Sequence, residues 1–160
     1  MFSVRQPFVL LMAARNKIPD GFSEILNAIV NVTFRYNVIS NLQAAEQERV
    51  YSRIAIGISQ GVYKSARDVI IALRPVYPND DIFRATFATK TMDTSSSRNK
   101  QIVRYILAKL DAQITGAPFV VPPAEMTIEH ILPENPDTNW ATFSDVEVSS
   151  EVYRIGNMAL

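Results

Sequence analysis

The residues best suited to chemistry lie in the last third of the chain, in Met126-Thr127-Ile128-Glu129-His130-Ile131-Leu132-Pro133. His130 is the only histidine in 160 residues, and it directly follows a carboxylate. An imidazole with a reference pKa of about 6.5 can take a proton from water near neutral pH. A carboxylate suits Mg²⁺, which keeps several waters and binds through one or two acidic groups plus a substrate phosphate. Such an ion can stabilise the charge on a departing oxygen in phosphodiester hydrolysis. Successive side chains of an extended segment point to opposite faces, so Glu129 and His130 need a bend near Pro133 to address one site. A second stretch, Tyr153-Arg154-Ile155-Gly156-Asn157-Met158-Ala159-Leu160, closes the sequence. Its Asn157 amide is placed to tie the connecting loop to the same site. A Glu-His pair also serves purely structural ends, and the residues alone leave both readings open.

Composition narrows the alternatives. The chain has no cysteine, which excludes disulfides, zinc–thiolate sites and cysteine nucleophiles. With one histidine, a multi-histidine metal site within a single chain is excluded as well. The absence of cysteine fits the reducing cytoplasm, the expected location. Net charge is zero but unevenly placed: residues 1–110 carry fifteen Lys/Arg and eight Asp/Glu, a charge of +7, and residues 111–160 carry −7. A basic body can face nucleic acid, and an acidic segment around a lone histidine can collect a divalent cation. Mutual attraction of solvated faces explains the same split. No apolar run reaches the roughly 20 residues of a membrane span, so no membrane association is expected. Phe8–Ala14 reads as a core helix rather than a signal peptide.

The elements that must position this chemistry are mostly helical. A first helix is expected over residues 4–14 with Pro7 in its opening turn, then a loop over 16–21. A second helix, capped by Ser23, runs to about Ile39, although its β-branched residues also allow a strand; its length favours the helix. A third starts at Asn41 and runs past Ile54 and Ile58. Ser65-Ala66-Arg67-Asp68 has the form of a capping box for a short helix through Leu73. Asp80 caps another over 81–89, and Thr91–Ser97 is a polar loop. Ser97 then caps a long helix to about Ile114, with Ile102, Tyr105, Ile106, Leu110 and Ile114 on one face. Beyond Gly116, Pro118, Pro122 and Pro123 forbid helix. Phe119–Val121 is read as extended, Met126–Ile131 as a short strand and 135–138 as a turn, with Trp140 and Phe143 anchoring the connection. Arg35, inside an apolar helix, is expected to pair with a carboxylate. Tyr36 and Tyr51 are expected in the core. The expected fold is mainly α, a bundle of about six helices over 1–115, followed by a segment over 116–160 with little regular structure.

Thr127-Ile128-Glu129-His130-Ile131-Leu132-Pro133-Glu134-Asn135-Pro136, then Trp140, then Ile155-Gly156-Asn157-Met158-Ala159-Leu160 resembles the HNH-type nuclease domain at the C-terminus of GmrSD-like type IV restriction enzymes. That family shows an "EHILPQ"-like strand, a downstream Trp, and "GNLTL" opening the second strand of a ββα-metal finger. Phe34-Arg35-Tyr36-Asn37, Glu46-Gln47-Glu48-Arg49-Val50-Tyr51 and Tyr105-Ile106-Leu107 are similar to the helical segment that precedes it. The resemblance implies a helical domain over 1–115 and the N-terminal half of an HNH-like, incomplete ββα-metal element over 116–160. It implies a metal-dependent DNA endonuclease directed at foreign or phage DNA, modified DNA included, with Mg²⁺ as the metal. His130 takes the role of general base, Asn157 that of the middle Asn of HNH, and Glu129 that of a metal-binding acid, where many HNH enzymes have Asp. The family's later helix with its further metal ligand, and its N-terminal nucleotide-hydrolysing domain with a ParB-like fold, are not in the sequence. The chain is therefore expected to be an excerpt that is inactive alone.

Arg98, Lys100, Arg104 and Lys109, along the last long helix, are the candidates for contact with DNA phosphates. The competing reading is a helical DNA-binding or interaction module carrying a degenerate nuclease motif. It predicts salt-sensitive binding without metal dependence. A bare helical spacer needs neither.

Overall fold

The computed structural model describes residues 4–123, 126–135 and 144–160. The expected anchors Trp140 and Phe143, and most of the expected 135–138 turn, lie outside the described residues. The chain is mainly helical, with seven α-helices and one two-stranded antiparallel sheet among the described residues. None of these helices is long and apolar enough to cross a membrane. The chain divides into two compact units, Phe2–Ala88 and Thr89–Leu160.

The first unit holds α1 (Phe8–Lys17), α2 (Phe22–Thr33), α3 (Ala44–Ser59), α4 (Ala66–Ala72) and α5 (Asp80–Ala88). α1 packs on α2 and α3, and α2 packs on α4. Leu10, Ile25, Ile54, Ile58 and Val69 are buried at the centre, each such side chain contributing about 2 kcal/mol. Tyr36 and Tyr51 are buried with them, as expected. α1 starts later than expected because Pro7, which has no N–H to give, takes the cap position, where its carbonyl accepts from Leu11 at 2.9 Å. α2 is capped at Gly21, which places Ser23 inside the first turn. A Cβ at Gly21 would come within 2.9 Å of the Ala66 methyl, so the α1–α2 corner is closed against the start of α4.

The second helix keeps its expected length, but its last six residues, Phe34–Ile39, are π-helical. Arg35 lies in this wider turn. Its Nη1 meets Asp80 Oδ1 at 2.7 Å and donates to the Pro78 carbonyl at 3.0 Å. The guanidinium rests 4.6 Å from the Tyr77 ring centre and 4.5 Å from that of Phe83. Asp80 is thereby drawn to Arg35, and Asn79 supplies the α5 cap instead, its Oδ1 accepting from the Ile82 N–H at 2.9 Å. Asn41 adopts a left-handed conformation, φ 49°, which ends the preceding turn, so α3 begins only at Ala44. The Ser65–Asp68 capping box forms as read, and the N–H groups of Lys64 and Ser65 hold the Asp68 carboxyl below its ordinary pKa.

The second unit holds α6 (Ser97–Thr115), β1 (Glu129–His130), α7 (Asp145–Glu151) and β2 (Met158–Ala159). Gly116, φ 69°, ends α6 in the left-handed form that glycine favours. Ser96, not Ser97, holds the cap position of α6, without a side-chain hydrogen bond. Ile102, Val103 and Ile106 of α6 are buried, whereas Ile114 is 84% exposed, so only the first half of the expected apolar face is used. Sequence reasoning missed α7. Its signal was present: Ser144 and Glu147 form a reciprocal capping box. α7 and the turn after it bury Val148 and Val152.

Candidate active site

β1 and β2 pair antiparallel over two residues each, with Glu129 opposite Ala159 and His130 opposite Met158. A ribbon this short has little stability of its own, so its surroundings must hold it. Asn157, just before β2, provides one clamp. Its Oδ1 accepts from the Leu132 N–H at 2.7 Å. Its Nδ2 donates to the carbonyls of Leu132 and Val152, both at 3.0 Å. The Asn157 carbonyl also accepts from the Ile131 N–H at 2.9 Å. One residue thus joins the turn after β1 to the end of the α7 segment.

The stretch read as a polar loop, Thr91–Ser97, supplies a second clamp. Thr91 bridges antiparallel to Arg154, and the Met92 N–H donates to the Tyr153 carbonyl at 2.7 Å. Asp93 folds the following turn, its Oδ1 accepting from the Ser95 N–H at 2.8 Å and its carbonyl from Asn99 Nδ2 at 2.8 Å. Met92 and Thr94 are buried as a result.

These clamps surround His130, whose side chain is 12% exposed. Its Nε2 lies 3.4 Å from Thr94 Oγ1 and 3.9 Å from Glu134 Oε1. The Tyr153 ring meets the imidazole edge to face, centroids 6.0 Å apart at 85°. Burial, together with the carboxylates of Glu134 and Asp93, raises the Tyr153 hydroxyl pKa above its ordinary value. Chain bending begins at Ile131, immediately after β1. Glu129 and His130 both line one open cleft of about 640 Å³, with Glu134, Thr94, Tyr153, Lys100 and Arg104.

Of the four expected phosphate contacts, two come to the cleft. Lys100 and Arg104 stand one helical turn apart on α6, and Arg104 Nε donates to the Met126 carbonyl at 2.7 Å, tying α6 to the approach to β1. Arg98 is exposed in the first turn of α6 and does not line the cleft. Lys109 does not line it either. Its ammonium sits 3.9 Å from the centre of the Phe119 ring, which packs edge-on against Tyr105. Sequence reasoning did not single out Thr94, Glu134 or Tyr153. Glu134 stands four residues after His130 and Tyr153 opens the terminal stretch, so both had a local signal. Thr94 is 36 residues away and had none.

The donor set can be weighed for a metal. Among the described residues no three His, Cys, Asp or Glu cluster tightly enough to hold an ion. Glu129 and Glu134 are the acidic residues that line the cleft. With a substrate phosphate these meet the minimum for Mg²⁺ and fall short of a closed protein cage. The cleft therefore brings together the His130 imidazole, the Glu134 carboxylate 3.9 Å from it, and the cationic residues Lys100 and Arg104.

Residues 77–160 match the family of GmrSD restriction endonucleases, C-terminal domain. No curated protein and no solved structure matches the chain significantly.

Proposed function

From the premise that the chain belongs to the GmrSD restriction endonuclease family, through its C-terminal domain, we propose that the cleft around His130 hydrolyses DNA phosphodiesters. The observation that carries the reading is the assembly, within the family-matched segment, of His130, Glu129, Lys100 and Arg104 on one cleft. Lys100 and Arg104 meet the backbone phosphates, and Arg104 is already oriented by its bond to Met126. His130 takes the proton from the attacking water. Asn157 keeps the turn after β1 in place, and with it the imidazole. Glu129 is the metal-binding acid, with Glu134 beside the same cleft. Mg²⁺ held there supplies charge stabilisation at the departing oxygen. In this reading the two strands belong to an HNH-like ββα-metal element. The protein acts in the cytoplasm on foreign or phage DNA, modified DNA included, together with a nucleotide-hydrolysing domain.

The test is plasmid cleavage by the native protein with Mg²⁺ and with a chelator. Chelation should stop cleavage. His130→Ala should lower the rate at least about 100-fold, the usual scale of a general base. Full activity in that variant sinks the role given to His130.

One observation favours a second reading, a DNA-binding module with a degenerate motif: the lack of a three-ligand cluster among the described residues. That reading predicts DNA binding that falls steeply with salt and is indifferent to chelation.

A further inference from the structure

We infer that Thr94, from the segment before α6, is a positioning residue for His130, setting the rotation and tautomer of its ring. The consequence for cleavage rests on the nuclease reading above; the geometry does not. Among the described residues two side-chain oxygens lie near Nε2, Thr94 Oγ1 at 3.4 Å and Glu134 Oε1 at 3.9 Å. Only the first is within hydrogen-bonding distance. The Glu134 side chain is 45% exposed, where water competes for it and screens it. Thr94 is 5% exposed, and a buried hydroxyl without a partner is costly. The imidazole Nε2 is the partner that answers it, as donor or acceptor according to the tautomer.

The backbone that delivers Thr94 is what makes it a fixed partner. Met92 is bonded to Tyr153, and Thr91 is bridged to Arg154. Tyr153 itself packs edge to face with the same imidazole. One backbone clamp therefore sets both contacts of the ring, the hydroxyl at Nε2 and the aromatic wall. Thr94 lies outside both sequence stretches that carry the acid, the base and Asn157.

His130 is the only histidine, so ¹⁵N-histidine labelling of the 160-residue chain gives a single imidazole to read by NMR at alkaline pH. The expected wild-type signal is a single tautomer in one environment. Thr94→Val, which nearly preserves volume, should shift it toward a mixture of tautomers, and Thr94→Ser should restore it. Glu134→Gln should leave it unchanged. Circular dichroism checks that each variant is folded. A wild-type-like imidazole in folded Thr94→Val overturns the inference. So does a tautomer shift in Glu134→Gln, which would hand the role to the carboxylate. In the native protein, DNA cleavage by Thr94→Val should lose about tenfold in kcat with KM for DNA unchanged, the scale of one hydrogen bond, and Thr94→Ser should recover it. Failure of the nuclease reading is separate: it appears as no Mg²⁺-dependent DNA cleavage by the native protein, with the imidazole response to Thr94→Val intact.

Discussion

Replacing Asn157 tests how a two-residue ribbon carries a site. The side-chain amide makes three bonds to backbone groups, at 2.7, 3.0 and 3.0 Å. Leu132 and Val152, whose backbones receive them, are almost fully buried, so water is a poor substitute. At about 1 kcal/mol for each bond lost, Asn157→Ala costs about 3 kcal/mol. The loss should appear first as local opening, and 3 kcal/mol corresponds to roughly a hundredfold in the opening equilibrium. The assay is amide hydrogen exchange at Ile131 and Leu132, compared with exchange in α3 as an internal control. Asn157→Asp sharpens the argument. It keeps the acceptor for the Leu132 N–H but turns a carboxylate oxygen toward two carbonyls. At neutral pH it should protect no better than alanine, and acidification should narrow the gap to wild type, because protonation removes the charge and restores one donor. Exchange within about fivefold of wild type in Asn157→Ala, or full protection in Asn157→Asp, would refute the clamp.

Three further outcomes follow from other parts of the chain. An alanine at 57 should gain about 1 kcal/mol from helix propensity, yet its Cβ would lie 2.5 Å from Tyr63 Cε2. Gly57→Ala should therefore lower stability by about 1–3 kcal/mol in thermal melts, and the sign should reverse in a Tyr63→Ala background. Burial pushes the Tyr51 hydroxyl up to about 12, above the unfolded value of about 10. The fold keeps the neutral form, so this contribution is complete below pH 10 and falls by about 1.4 kcal/mol per pH unit toward 12. Denaturant melts across that range should show a shallower loss for Tyr51→Phe. Lys100→Ala should reduce the slope of log affinity for DNA against log salt by about 0.9, whereas Lys109→Ala, whose ammonium rests on Phe119, should leave it unchanged.

Legibility differed between the body and the site. The helices of the first unit could be read because apolar spacing and capping are local properties, and the Ser65–Asp68 box shows how little else is needed. Misplaced boundaries had tertiary causes. Asp80 was a sound cap by type, but the Arg35 guanidinium claims it, and Asn79 takes its place. The Ser144–Glu147 box was equally readable and was passed over because the surrounding residues suggested only a connection. Arg35 needed a carboxylate by its burial alone. Its identity as Asp80 depends on a π-helical turn that no spacing rule announces.

The sequence by itself determined the ingredients of the site. A lone imidazole beside a carboxylate, an asparagine amide 27 residues later, and the exclusion of cysteine chemistry all follow from residue types and order. The tertiary structure decided which groups face the imidazole. A β-bridge through Thr91 and Arg154 brings in Thr94 from 36 residues upstream. One turn of α6 sends Lys100 and Arg104 to the cleft, while Phe119 captures Lys109. The reason is physical: residue type sets what a group can donate or accept, but proximity between distant segments depends on where the backbone pairs. Here that pairing is set by a few hydrogen bonds with no local pattern in the chain.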